Sequence, residues 1–133
     1  MTRKELSQIY YLDKELKRCE ANLAELRASI QAKSQKLTGM PFQNTGTTSN
    51  PVEEMVFRLT KAEQAVEGYK EAILIRKARI MEWMSSLDDI LLAQIVDFRC
   101  LKLMNWNEIA DAIGGYNTED SVKKYFYRNI EKR

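Results

Sequence analysis

The stretch Phe98-Arg99-Cys100-Leu101-Lys102-Leu103-Met104-Asn105-Trp106-Asn107-Glu108-Ile109-Ala110-Asp111-Ala112-Ile113-Gly114 decides the fold of the C-terminal part of the chain. It runs through Gly115-Tyr116-Asn117-Thr118 into Ser121-Val122-Lys123-Lys124-Tyr125-Phe126-Tyr127-Arg128-Asn129-Ile130. Asn105 suits an N-cap, with Glu108 at the third helical position, so a helix is predicted over Trp106–Ile113. Gly114 can adopt the left-handed conformation that ends it. Thr118 or Asn117 caps a further helix carrying Val122, Phe126 and Ile130 at i, i+4 and i+8. Ala110 supplies the small side chain needed where two helices approach closely. Two short helices joined by a glycine turn, the second of them basic, have the form of a helix-turn-helix.

Upstream, Ser86 is predicted to cap a third helix, with Asp89 three residues on. That helix is expected to run to about Met104 and to bury Ile90, Leu91, Ile95, Phe98 and Leu101. The N-terminal part reads differently. Ile9, Leu12, Leu16, Cys19, Leu23, Leu26 and Ile30 step alternately by three and four, the narrow heptad seam of a coiled coil. Thr38-Gly39-Met40-Pro41 is a C-terminal stop, and residues 42–50 read as an exposed loop. Asn50, Pro51 and Glu53 suit the start of the next helix. There Val52, Met55, Leu59, Ala62, Val66, Tyr69, Ile73, Ile80 and Trp83 keep the same period, interrupted at Arg76.

The expected fold is therefore all-α. A long antiparallel coiled-coil helical hairpin occupies residues 1–86 (loop 38–50), and a small three-helix helix-turn-helix domain follows over 87–133. The seam of the hairpin is formed by Ile9, Leu12, Leu16, Leu23, Leu26 and Ile30 against Leu59, Val66, Ile73 and Ile80. A two-helix hairpin has a thin core, and Leu6, Tyr10, Val56, Leu74 and Met84 lie beside its seam. A homodimer forming a four-helix bundle would cover them; packing on the C-terminal domain is the other way to do so.

Composition excludes much chemistry. Among 133 residues there is no histidine, and the two cysteines, Cys19 and Cys100, stand far apart. Histidine-based acid–base catalysis, nucleophilic triads and zinc sites lack their ligands, so neither an enzyme nor a metal or cofactor protein is expected. No apolar run approaches the ~18 residues that span a bilayer, and no signal peptide is recognised. Free thiols in a cytoplasmic protein are expected. Net charge is only +2, but residues 121–133 hold five bases against one acid, a local +4. Such an end suits double-stranded DNA. It also suits the C-terminus of a solvated helix, where cations favour the dipole.

In helix-turn-helix geometry the N-terminal side chains of the last helix, Thr118, Asp120 and Ser121, reach toward base edges. Lys123, Lys124, Tyr127 and Arg128 engage phosphates. Tyr127 also suits a place in the core, and Tyr125 is expected to pack against Trp106 or the coiled coil.

On Arg99-Cys100-Leu101-Lys102, Trp106-Asn107-Glu108-Ile109-Ala110, Gly114 and Ser121-Val122-Lys123-Lys124, residues 87–130 resemble region 4 of bacterial sigma factors. Together with Leu6-Ser7-Gln8-Ile9-Tyr10-Tyr11-Leu12 and Leu37-Thr38-Gly39-Met40-Pro41, the chain resembles RinA/ArpU-type regulators of phages and prophages in Gram-positive bacteria. The resemblance implies a late-gene transcriptional activator or regulator, and the hairpin is expected either to dimerise or to contact RNA polymerase. Two positions depart from it. Leu103 stands where sigma-like domains have glycine, and the turn 115–121 is about two residues longer than in a compact helix-turn-helix. A different reading of the same residues is a coiled-coil adaptor or anti-repressor that binds protein instead of DNA. Asp88, Asp89, Asp97, Glu108, Asp111, Glu119 and Asp120 favour it.

Overall fold

The computed structural model describes residues 1–37 and 51–131. The expected loop at 38–50, its glycine–proline stop, the Asn50 cap, and Lys132 and Arg133 lie outside the described residues. Among those described, the chain is all-helical, with no strand. It divides into two compact units, Met1–Asp13 with Ala72–Arg133, and Lys14–Glu71. The boundary expected between 86 and 87 thus falls inside the first unit.

Helix α1 covers Arg3–Leu37 and helix α2 covers Pro51–Ser85. Helix α1 opens on a capping box that the heptad reading passed over. The Glu5 N–H donates to Thr2 Oγ1 at 3.2 Å, and the Thr2 N–H donates to Glu5 Oε2 at 2.8 Å, so two orphan donors are satisfied reciprocally. The bond from the Thr2 N–H holds the Glu5 carboxyl below its ordinary range.

In the unit Lys14–Glu71, Leu23 and Val66 are fully buried, and Leu16, Cys19, Leu26, Ile30 and Leu59 are half-buried. Arg27 Nη2 meets Glu63 Oε1 at 3.1 Å beside this stripe. Val52, expected on the seam, is 51% exposed, and Val56 and Phe57 are exposed as well. Among the described residues of this unit two side chains are buried, Leu23 and Val66, a thin described core at ~2 kcal/mol for each residue of that size.

In the other unit, α3 (Ile90–Val96) runs into a π-helical stretch, Asp97–Leu101, and α4 (Trp106–Ile113) and α5 (Glu119–Glu131) follow. The core gathers Leu92, Ile95, Val96, Cys100, Trp106, Ile109, Ala110, Val122, Phe126 and Ile130, with Leu6, Ile9, Ile73 and Ile80 buried in the same unit. Leu12, at the end of its N-terminal segment, is half-buried.

Two expectations for α3 are corrected. Its N-cap is Asp89, whose Oδ1 accepts from the Leu92 N–H at 3.1 Å. The Ser86 hydroxyl instead donates back to the Trp83 carbonyl at 2.6 Å. The buried face is then Leu92, Ile95/Val96 and Cys100, while Ile90 is 76% exposed. The π-helical stretch ends the regular α-helical period at Val96, short of the expected Met104. Its Lys102 N–H bonds the Asp97 carbonyl, five residues back, and the Met104 N–H bonds Phe98. One residue is thereby inserted into the turn, so Cys100 turns inward and Leu101 stays half-buried. The chain leaves this stretch through Leu103, the one described non-glycine residue with positive φ, at +56°.

Left-handed backbone disfavours L-residues by ~1–2 kcal/mol, and more when Cβ is branched. Leu103→Val is therefore expected to destabilise by about 2 kcal/mol, clearly more than Leu101→Val in the same half-buried setting; denaturant unfolding of both variants reads the difference. Both cysteines are free thiols. Cys100 is 2% exposed and burial pushes its thiol up to about 12. In native protein iodoacetamide should modify Cys19 and spare Cys100 until the chain is unfolded, which peptide mass spectrometry detects.

Candidate nucleic-acid interface

Helix α4 begins as its residues dictate. Asn105 Oδ1 accepts from the Glu108 N–H at 3.0 Å, and Asn105 Nδ2 donates to Glu108 Oε1 at 3.1 Å. Gly114 ends the helix at φ +74° and its N–H reaches the Ala110 carbonyl. Asn117 Nδ2 then donates to the Gly114 carbonyl at 3.0 Å, bracing the turn.

Thr118, not Asn117, caps α5. Its Oγ1 accepts from the Ser121 N–H at 3.2 Å, and its own N–H donates to Ser121 Oγ at 2.8 Å. Ser121 Oγ also donates to the Thr118 carbonyl. The hydroxyls of Thr118 and Ser121 are thus engaged in the cap, although both residues are exposed.

Beyond the cap, Val122, Phe126 and Ile130 turn into the core. The opposite positions are brought together: Asp120, Lys123, Lys124, Tyr127, Arg128 and Glu131 line one open depression along the helix. Lys123, Lys124 and Arg128 are exposed and form no ion pair among the described residues. Three unpaired cations on one face are available to an external anion, but Asp120 and Glu131 on the same wall lower its potential.

Tyr127 is a packing residue as well as a wall of the depression. Its ring lies 5.9 Å from Trp106 and 5.3 Å from Phe126, with the Arg3 guanidinium 3.9 Å above it. Arg3 also approaches Glu131 at 3.9 Å. Tyr125 donates its hydroxyl hydrogen to Asp89 Oδ2, so the side chain that caps α3 also fastens α5.

Sequence reasoning missed Arg3 and the position of Arg99. Arg99 is half-buried, with its guanidinium 5.1 Å from the Tyr10 ring and 4.6 Å from Trp106. Its Nη1 donates to the Met104 carbonyl at 3.1 Å. The available signal was an arginine next to buried Cys100 in a chain whose N-terminal segment carries adjacent tyrosines.

Among the described residues no cluster of three or more His, Cys, Asp or Glu could hold a metal ion, and no helix is long and apolar enough to cross a membrane. In comparison with known proteins, no family model, no curated protein and no solved structure matches the chain.

Because its hydroxyl is used in the cap, Ser121→Ala should lower stability by about 1 kcal/mol and leave affinity for duplex DNA unchanged within about twofold. Thermal unfolding beside a duplex titration checks both halves. A large loss of affinity with no loss of stability would return Ser121 to the contact surface.

Proposed function

We propose that the chain is a DNA-binding transcriptional regulator of the RinA/ArpU type, acting in the cytoplasm of phage-bearing Gram-positive bacteria. In this reading α4 and α5 are a helix-turn-helix, and α5 enters the major groove. Asp120 is then the side chain nearest base edges, while Lys123, Lys124 and Arg128 take phosphates. The carrying observation is that these three cations share one exposed face and have no acidic partner among the described residues. Tyr127 borders that face and orients it through its packing on Trp106. The N-terminal helices form an antiparallel coiled-coil hairpin that dimerises or contacts RNA polymerase. The thin core of the unit Lys14–Glu71 favours a partner there.

One further observation favours a second reading. Leu74, Ile75 and Met81 of α2 are 67%, 56% and 59% exposed. An apolar helix face of this kind suits an adaptor or anti-repressor that works through a protein partner.

Fluorescence-anisotropy titration against duplex from the chain's own gene neighbourhood, beside a scrambled duplex, separates the two. The regulator binds the native duplex more tightly, and its affinity falls steeply with salt. Reversing charge at Lys123→Glu and Lys124→Glu should weaken binding to every duplex at least ~tenfold and reduce the salt slope by about 2. Unchanged binding by the double variant at moderate salt would remove α5 as the contacting face. Absence of binding at low salt would favour the adaptor.

A further inference from the structure

A second cavity, of about 250 Å³, lies in the unit that holds the N-terminal residues and α5 and meets the α5 depression at Tyr127, with none of Lys123, Lys124 and Arg128 on its wall. Its polar wall carries Arg3, Ser7, Tyr10, Arg99 and Tyr127, and buried Leu6, Cys100 and Phe126 also line it. No carboxylate lines it. The Arg99 guanidinium lies 5.1 Å from the Tyr10 ring and 4.6 Å from Trp106, and of its nitrogens Nη1 donates to the Met104 carbonyl. Its in-plane Nε–Nη2 edge has no partner among the described residues, and that fork matches the two oxygens of a carboxylate. Arg3 has one contact with an acid, an exposed 3.9 Å approach to Glu131, which water and a competing anion displace readily.

A half-buried guanidinium without an acid partner is costly unless something compensates it. The aromatic rings around it favour a flat apolar body against them. A cavity of about 250 Å³ lies just below the ~300–1,000 Å³ of drug-sized ligand sites, room for one ring and a charged group. We infer that this cavity is a binding site for a small aromatic carboxylate, with its ring among the tyrosines and its charge on Arg99 and Arg3.

The ligand is an effector and not a substrate. The wall holds two nucleophile types, the Ser7 hydroxyl, which donates to the Lys4 carbonyl at 2.9 Å, and the Cys100 thiol, which burial keeps protonated; neither has a histidine or carboxylate base on the wall. The site does not depend on DNA binding, so its test uses the full-length protein alone.

The probe is 4-fluorobenzoate, followed by ¹⁹F NMR, with neutral 4-fluorobenzamide and acetate as controls. Saturable one-to-one binding with Kd on the order of 0.1–1 mM is expected, the range open to a ligand of about ten heavy atoms. The amide should bind at least ~tenfold more weakly, and acetate should fail to displace the probe at equal concentration. Arg3→Gln, a surface change, should weaken binding about fivefold, and Arg99→Lys, which keeps the charge but loses the fork, by more. Equal affinity for acid and amide would overturn the inference. So would equal competition by acetate, unchanged affinity in Arg3→Gln with folding intact, or no saturation.

Discussion

The guanidinium of Arg99 is the contact on which the C-terminal unit depends. It lies within 5.1 Å of the Tyr10 ring and 4.6 Å of Trp106 and donates to the Met104 carbonyl. One side chain thereby joins the first helix, the exit from the π-helical stretch, and the first residue of α4. Cation–π contacts of this kind contribute ~0.5–2 kcal/mol each, with the larger values where the charge is partly withdrawn from water, as it is here. The left-handed backbone at Leu103 is tolerated because the residues on both sides are held. Phe98 and Asp97 supply carbonyls to Met104 and Lys102, and Arg99 closes the turn from inside.

That arrangement also explains why the compact unit includes residues 1–13 and 72–85. Three short helices of seven to thirteen residues bury little apolar area on their own, and domains this small are marginal. Leu6, Ile9 and Ile80 add large buried side chains to the same unit. Tyr127, packed on Trp106 and Phe126 and covered by Arg3, fixes the orientation of α5 from the opposite end.

Local signals were legible where the cause is local. Asn105 and Glu108 cap α4, Gly114 ends it with positive φ, and the three-and-four spacing picks out the buried and half-buried positions of the long helices. Legibility failed where distant residues decide. Asp89 outcompetes Ser86 as the α3 cap because its second oxygen is also engaged by Tyr125, a partner invisible to a window of a few residues. The π-helical stretch Asp97–Leu101 follows α3 directly, with Cys100 buried within it, and a 3.6-residue period carries no sign of it. On α5 the pattern separated the outward positions correctly from Val122, Phe126 and Ile130, yet it could not assign the hydroxyls. Ser121, expected to reach base edges, has its hydroxyl engaged in the cap.

The charge on α5 limits how it can act. Three cations against Asp120 and Glu131 on one wall leave a weak net potential, so a single copy of the face makes few phosphate contacts. At a salt slope of about 0.9 per phosphate, three contacts give affinity that physiological salt largely removes. Two copies on one duplex square that weak term instead of adding to it, provided a rigid link sets their separation. In that reading α1 and α2, each of 35 residues and thus about 50 Å long at 1.5 Å per residue, offer a long surface along which two copies would pair. The same helices carry the exposed Leu74 and Met81 that a second copy would cover. Under the proposed DNA-binding reading, a weakly charged face and an exposed apolar stretch on a long helix are complementary features, because pairing of two copies would offset the affinity that one copy lacks.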